Sequence, residues 1–126
     1  MHKSFFLALI WVVLVTVLSL INGSSFSGVG PTIPNADKLV HFLFYFVMQI
    51  LLCFALCKSY NLIKYLYILL FTLSYGIIIE LLQEKITTTR SVDFYDFLAN
   101  AFGAITAFLL LFLTKSKKFY NSKEKQ

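Results

Sequence analysis

Four long apolar runs constrain this chain more than any other feature of its sequence. They fall at about residues 5–21, 35–57, 62–83 and 92–114, and each is close to the roughly 20 residues with which an α-helix crosses about 30 Å of hydrocarbon. Because 59% of the residues are hydrophobic and only 13% are charged, too little polar surface remains to coat a water-soluble globule. We therefore predict an all-α membrane protein, with residues 1–126 forming a single four-transmembrane-helix bundle.

The first apolar run also has the outline of a secretory signal peptide, since His2 and Lys3 precede it. Its apolar core is longer than the usual stretch of about 7–15 residues, and residues 21–24 make a poor cleavage site. Three more apolar runs follow, so we predict that the first helix is retained.

The positive charges indicate an orientation. Of the 11 Lys and Arg residues, the larger share falls on one predicted side of the bilayer, and only Lys38, Lys85 and Arg90 fall on the other. Because the lysine-rich side is normally cytoplasmic, we predict an N-in/C-in protein of the cell (inner) membrane with a basic cytoplasmic tail at 115–126. Lysines beside a membrane bind anionic lipids, so we predict membrane lipids as partners and no nucleic acid.

Polar residues recur within the apolar runs at helical spacing. An ionisable group inside a membrane helix costs about 2.5–3.5 kcal/mol, so such groups normally face protein or water. Each of the last three helices carries its polar residues on one face, which predicts that these faces point into the bundle. The residues are Asp37, His41 and Tyr45 in the second helix, Glu80 and Gln83 with Gly76 in the third, and Asp93, Asp96 and Asn100 with Gly103 in the fourth.

These stripes also share a depth, because the second helix starts, the third ends and the fourth starts on the same predicted side. The sequence therefore predicts an outward-facing, mostly acidic polar pocket with Lys38 and Arg90 at its rim. Asp37 and Asp93 equally suit helix caps, and Glu80 equally suits an interhelical contact with His41 or Arg90. The predicted ligand-binding residues are Asp37, Lys38, His41, Tyr45, Glu80, Gln83, Arg90, Asp93, Asp96 and Asn100.

Two segments within residues 34–110 resemble the VanZ-like family. Residues 37–42, with Tyr45 following, resemble its first motif. The family's second motif is resembled by a second set of residues, namely Gly76, Glu80, Gln83, Arg90, Asp93, Asp96, Asn100 and Gly103. Ala107 stands where many members have a second glycine. The resemblance implies a small bacterial membrane protein of a family named for a member associated with teicoplanin resistance, and it implies no established biochemical activity.

Three functions are consistent with this pocket. The first is a non-enzymatic envelope protein that binds a lipid-linked or cell-wall ligand and affects glycopeptide susceptibility, which is the function that the pocket and the resemblance favour. The second is an enzyme acting on a lipid headgroup, in which Glu80, Asp93, Asp96 and His41 bind a divalent cation or share acid–base chemistry. The sequence assigns no cofactor, metal or catalytic residue.

The third function is a proton or ion pathway, since chains of Asp, Glu and His serve as proton relays in membranes. Against this function, Phe46, Phe54, Leu69 and Leu110 dominate the half of the helices away from the pocket. The two cysteines, Cys53 and Cys57, lie within an apolar run and are predicted to be inert buried thiols.

Overall fold

The structure is a computed structural model that describes residues 2–21, 36–86 and 93–123. Its four α-helices are α1 (His2–Leu20), α2 (Ala36–Leu56), α3 (Leu62–Ile86) and α4 (Phe94–Lys123). The described part of the chain is all-helical, and each of the four helices is long and apolar enough to cross a membrane. The predicted number of helices, and their length and apolar composition, are therefore confirmed.

The last two helices end later than the sequence predicts. α3 continues to Ile86, past the predicted end at 83, and α4 begins at Phe94 and continues to Lys123. Most of the predicted tail at 115–126 is therefore helical, because no Gly or Pro interrupts this segment and Lys favours helix. Residues 22–35, which precede α2, and residues 87–92, which include Arg90, lie outside the described part of the chain.

α2 occupies the centre of the bundle. It contacts all three other helices, and its interface with α4 is the most extensive. α1 packs on α2 and α3, and over the described lengths of the two helices no Cα atoms of α1 and α4 lie within 8 Å of each other. An ion pair joins the beginnings of α2 and α4, and a polar contact joins His41 of α2 to Glu80 in the last two turns of α3, so these three termini lie together. We call this end of the bundle the polar end.

Small residues let α2 and α4 approach closely. A Cβ atom added at Gly103 would lie 2.1 Å from the carbonyl oxygen of Phe42 and 3.0 Å from the backbone nitrogen of Phe46, so only glycine fits there. The next residue, Ala104, and Ala107 one turn further on are fully buried. Membrane helices commonly use such small residues to bring their backbones together. Gly103 therefore lies directly against the α2 backbone.

Hydrogen bonds attach α1 to its neighbours. The Trp11 indole Nε1 donates to the backbone oxygen of Phe44 on α2 over 3.0 Å. The Thr16 hydroxyl bonds the Tyr75 hydroxyl on α3 and also donates to its own helix at Val12. Between membrane helices such bonds are worth about 0.6–2 kcal/mol each. They fix α1 in register on the α2–α3 pair.

Candidate functional site

Lys38 joins the beginnings of α2 and α4. Its Nζ atom donates to Asp37 Oδ2 at 2.8 Å, to Asp93 Oδ2 at 2.8 Å and to Asp96 Oδ1 at 2.9 Å. All three hydrogens of the ammonium group can be used in this way. The sequence places Lys38 at the rim of a pocket, and in the structure it is the cation that binds three of the predicted acidic residues.

Asp93 caps α4 as well as pairing with Lys38. Its Oδ1 atom accepts a hydrogen bond from the backbone of Tyr95 over 2.8 Å, and its carbonyl oxygen accepts from the backbone of Asp96 and Phe97. This is the geometry of a helix N-cap. The hydrogen bond from Lys38 is the main reason that the pKa of Asp93 lies below its ordinary value. The capping role and the predicted pocket role thus coexist in one side chain.

Below this ion-pair cluster, three buried side chains from three helices meet. Asn100 Nδ2 on α4 donates to Glu80 Oε1 on α3 over 3.0 Å, and Asn100 Oδ1 lies 3.0 Å from His41 Nδ1 on α2. His41 Nδ1 also lies 3.4 Å from Glu80 Oε1. These residues are at most 5% exposed. The predicted convergence of His41, Glu80 and Asn100 is therefore present in the structure.

The orientation of the Asn100 amide fixes where His41 carries a proton. Because Asn100 Nδ2 faces Glu80, the atom facing His41 is Oδ1, which can only accept. His41 Nδ1 must therefore be the donor, and the other ring nitrogen, Nε2, faces Asp96 Oδ2 at 3.8 Å. Asp96 thus links the buried triad to the Lys38 cluster.

Carboxylates outnumber cations in the described part of this site. Asp37, Asp93, Asp96 and Glu80 contribute four acidic groups, against the single ammonium of Lys38 and an imidazole. The predicted mostly acidic character is retained. Arg90, which the sequence also assigns to the site, lies outside the described residues.

Tyr45 lies one turn deeper on α2 than His41 and is 1% exposed. Its ring faces Gly76 of α3, where an added Cβ would lie 3.1 Å from Tyr45 Cε1. Among the buried side-chain polar atoms of the described residues, its hydroxyl oxygen is the one without a hydrogen-bond partner. The centroid of its ring lies 6.3 Å from that of Tyr75 on α3.

Gln83 takes a different position from the one that its sequence spacing suggests. Its Nε2 atom donates to the backbone oxygen of Ser19 near the end of α1, over 2.7 Å. The residue is buried, but this bond directs its amide toward α1 and not toward Asn100. The structure therefore gives Gln83 the role of attaching α1 to α3.

A second polar contact lies further from the polar end, where the sequence indicates mainly apolar residues. Thr72 Oγ1 donates to Gln49 Oε1 over 2.9 Å, and Gln49 Nε2 lies 3.5 Å from Cys53 Sγ. All three residues are fully buried. Gln49 continues the four-residue spacing of His41 and Tyr45, and this spacing is the signal that could have included it. The polar stripe of α2 thus extends beyond Tyr45 to Gln49, further from the polar end than predicted.

An apolar groove reaches Glu80 from the outer surface of the bundle. It has a volume of about 290 Å³ and lies between α3 and α4, lined by Ile77, Glu80, Leu81, Phe94 and Phe97. Ile77, Leu81 and Phe94 are 45–64% exposed, so the groove opens on the outer face of these helices. The side chain of Glu80 itself is only 4% exposed. One residue therefore borders both the buried polar triad and this groove.

No group of three or more His, Cys, Asp or Glu residues within 2–21, 36–86 and 93–123 is arranged to hold a metal ion. The divalent-cation site considered from the sequence is thus not formed by these residues. Comparisons with models of protein families, with curated proteins and with solved structures found no match to this chain.

Proposed function

We propose that this chain is a multi-pass protein of the cytoplasmic membrane that binds the headgroup of a membrane lipid or of a lipid-linked envelope ligand at its polar end. The observation that carries the proposal is the buried contact between His41, Glu80 and Asn100, to which three separate helices each contribute one side chain. Polar groups inside apolar helices are costly to bury and mark functional sites by default.

The charge of the site favours a ligand that carries positive charge or several hydrogen-bond donors. Carboxylates accept hydrogen bonds and attract cations, and they exceed the cations among the described residues. An anionic headgroup would approach Lys38 only past the Asp37 and Asp93 carboxylates that already hold it. We therefore assign the ligand a cationic group that approaches Glu80.

The groove beside Glu80 supports a lipid ligand over a soluble one. Apart from Glu80 it is lined by Ile77, Leu81, Phe94 and Phe97, which suit an acyl or prenyl chain. An amphiphile with its chain in this groove would place its headgroup beside Glu80. The occupant that we propose for the groove is thus the hydrocarbon chain of the bound lipid.

The lysine distribution supports an N-in/C-in orientation, with the polar end on the outer side. We expect a membrane-impermeant maleimide to label Ser25→Cys in intact cells and to label Lys123→Cys only after lysis. The background for both is Cys53→Ala with Cys57→Ala, which should be silent because Cys53 is fully buried and burial raises the pKa of the Cys57 thiol. Labelling of Lys123→Cys in intact cells would reverse the orientation.

Glu80→Gln is the central test of the proposed site. The substitution keeps the acceptor for Asn100 and removes the charge, so the bundle should insert and fold normally. A hydrogen bond to a charged group is worth about 1.5–3 kcal/mol, and 1.4 kcal/mol corresponds to tenfold in affinity. We therefore expect at least about tenfold weaker retention of bacterial lipid, measured by native mass spectrometry after purification in detergent and incubation with a bacterial lipid extract.

The matched control is Glu84→Gln, which makes the same chemical change on an exposed residue of the same helix and should retain lipid like the wild type.

A second assay follows from the sequence resemblance: protection of a sensitive bacterial host against teicoplanin, with membrane abundance measured in parallel. We expect Asp96→Asn to behave like Glu80→Gln in both assays. Wild-type lipid retention by Glu80→Gln at normal abundance would return Glu80 to a packing role and refute the proposed site.

A further inference from the structure

The hydroxyl group of Tyr45 is buried and forms no hydrogen bond with the described residues. Leaving a buried hydroxyl without a hydrogen bond is unfavourable, and phenylalanine would fill the same space without this cost. Tyr45 is 1% exposed, and none of the described residues hydrogen-bonds its hydroxyl. A tyrosine at this position therefore indicates that its hydroxyl hydrogen-bonds a group from outside the described residues.

The surroundings of the hydroxyl restrict what that partner can be. Its ring is held against Gly76, because a Cβ atom added there would lie 3.1 Å from Tyr45 Cε1 and 3.6 Å from Asn100 Cβ. Gly76 lies one turn before Glu80 on α3, so the Tyr45 ring lies beside the part of α3 that carries Glu80. The Tyr75 hydroxyl is already engaged by Thr16 of α1. A partner of the Tyr45 hydroxyl would thus lie on the inner side of the His41, Glu80 and Asn100 contact, within one helical turn of the Glu80 carboxylate.

Few headgroup chemistries satisfy both neighbours. A protonated primary amine has three N–H donors, so one can bond the Tyr45 oxygen while another bonds Glu80, and its positive charge offsets the carboxylate. A quaternary ammonium has no N–H to donate, and a phosphate would be repelled by Glu80. A water molecule could also bond both groups, but it would not offset the excess of acidic groups in the site.

We propose that Tyr45 and Glu80 together bind the protonated primary amine of a lipid headgroup, such as that of an ethanolamine phospholipid. This inference rests on the proposed lipid-binding function and specifies its ligand class. Glu80 supplies the charge, and Tyr45 is the residue that distinguishes a primary amine from a quaternary one.

Trp11 provides an internal reporter for the test. It is the single tryptophan of the chain, and its indole bonds the backbone of Phe44, which precedes Tyr45. The purified protein in detergent is titrated with lysophosphatidylethanolamine, lysophosphatidylcholine, lysophosphatidylglycerol and free ethanolamine while Trp11 fluorescence is followed. We expect the ethanolamine lipid to bind at least about tenfold more tightly than the choline lipid. An equal response to free ethanolamine would keep the amine site but assign it to a soluble amine.

Tyr45→Phe removes one oxygen atom and should weaken binding of the ethanolamine lipid by about tenfold, with choline-lipid binding unchanged. Tyr67→Phe is the matched control, because Tyr67 is 66% exposed on the outer face of α3. The unfolding temperature of Tyr45→Phe should equal or exceed that of the wild type, since the substitution removes a buried atom without a protein partner.

Two results would overturn the inference. If Tyr45→Phe binds every lipid like the wild type while Glu80→Gln does not, Tyr45 is not part of the site and the proposed function stands alone. If Tyr45→Phe weakens all headgroups equally, the hydroxyl holds a water molecule and does not select an amine. Failure of the wild-type protein to bind any of the lipids would instead refute the proposed function itself.

Discussion

Replacement of Gly103 by alanine is expected to destabilise the bundle more than any other single methyl addition. The new Cβ atom would lie 2.1 Å from the carbonyl oxygen of Phe42, and that atom belongs to the α2 backbone and cannot rotate away. Overpacking typically costs about 1–3 kcal/mol, and we expect the upper end or beyond because two whole helices must separate. Thermal unfolding in detergent, followed by circular dichroism, measures the effect.

Gly76→Ala is the natural comparison for this variant. Its added Cβ would meet a side-chain atom, Tyr45 Cε1, at 3.1 Å, and a ring can shift by a few tenths of an ångström. We expect a clearly smaller decrease in unfolding temperature than for Gly103→Ala. Equal unfolding temperatures for the wild type and Gly103→Ala would show that α2 and α4 do not pack as closely as described.

Lys38→Met is expected to reverse the pH dependence of stability at the polar end. Without the ammonium group, the carboxylates of Asp37, Asp93 and Asp96 remain together and repel one another. At neutral pH the variant should unfold at a clearly lower temperature than the wild type. Protonation of the Asp93 carboxylate relieves part of this repulsion, so the variant should gain stability as the pH falls from 7 toward 4.

The wild-type protein should gain no stability over this pH range. Pairing with Lys38 holds the pKa of Asp93 below its ordinary value of 3.8, so the folded state binds this proton less readily than the unfolded state. The stabilisation from Asp93 is complete above pH 3.8 and is lost as the pH falls through the lowered folded-state pKa. The difference in unfolding temperature between wild type and Lys38→Met should therefore shrink in acid.

Lys58→Met is the matched control for this pH series, because Lys58 is exposed beyond the other end of α2. Its unfolding temperature should follow that of the wild type across the whole pH range. If the deficit of Lys38→Met is instead constant from pH 7 to pH 4, the three aspartates do not depend on Lys38 for their charge balance.

The convergence of His41, Glu80 and Asn100 could be predicted from sequence because two simple quantities define it. Helical rotation places polar residues on one face, and the alternation of helix direction places those faces at one depth. Both quantities are properties of single helices and of the order in which they are connected. Neither requires knowledge of how far apart the helices lie.

The partner of Gln83 could not be predicted in this way. It lies one turn from Glu80 with an angular offset of about 60°, which is too small to decide between two neighbouring helices. The structure shows that its amide bonds the backbone oxygen of Ser19 on α1. The choice between α1 and α4 depends on the positions of the helix axes, and no local sequence pattern encodes them. The same limit applies to Gln49, whose importance depends on Thr72 facing it.

The separation of α1 from α4 has a consequence for biogenesis. Chain synthesis delivers α2 and α3 before α4, so Glu80 and His41 can meet before Asn100 is made. Asn100 and Asp96 arrive only with α4, and they complete contacts that α1 does not share. A nascent chain that stops before Phe94 therefore carries ionisable groups without their α4 partners.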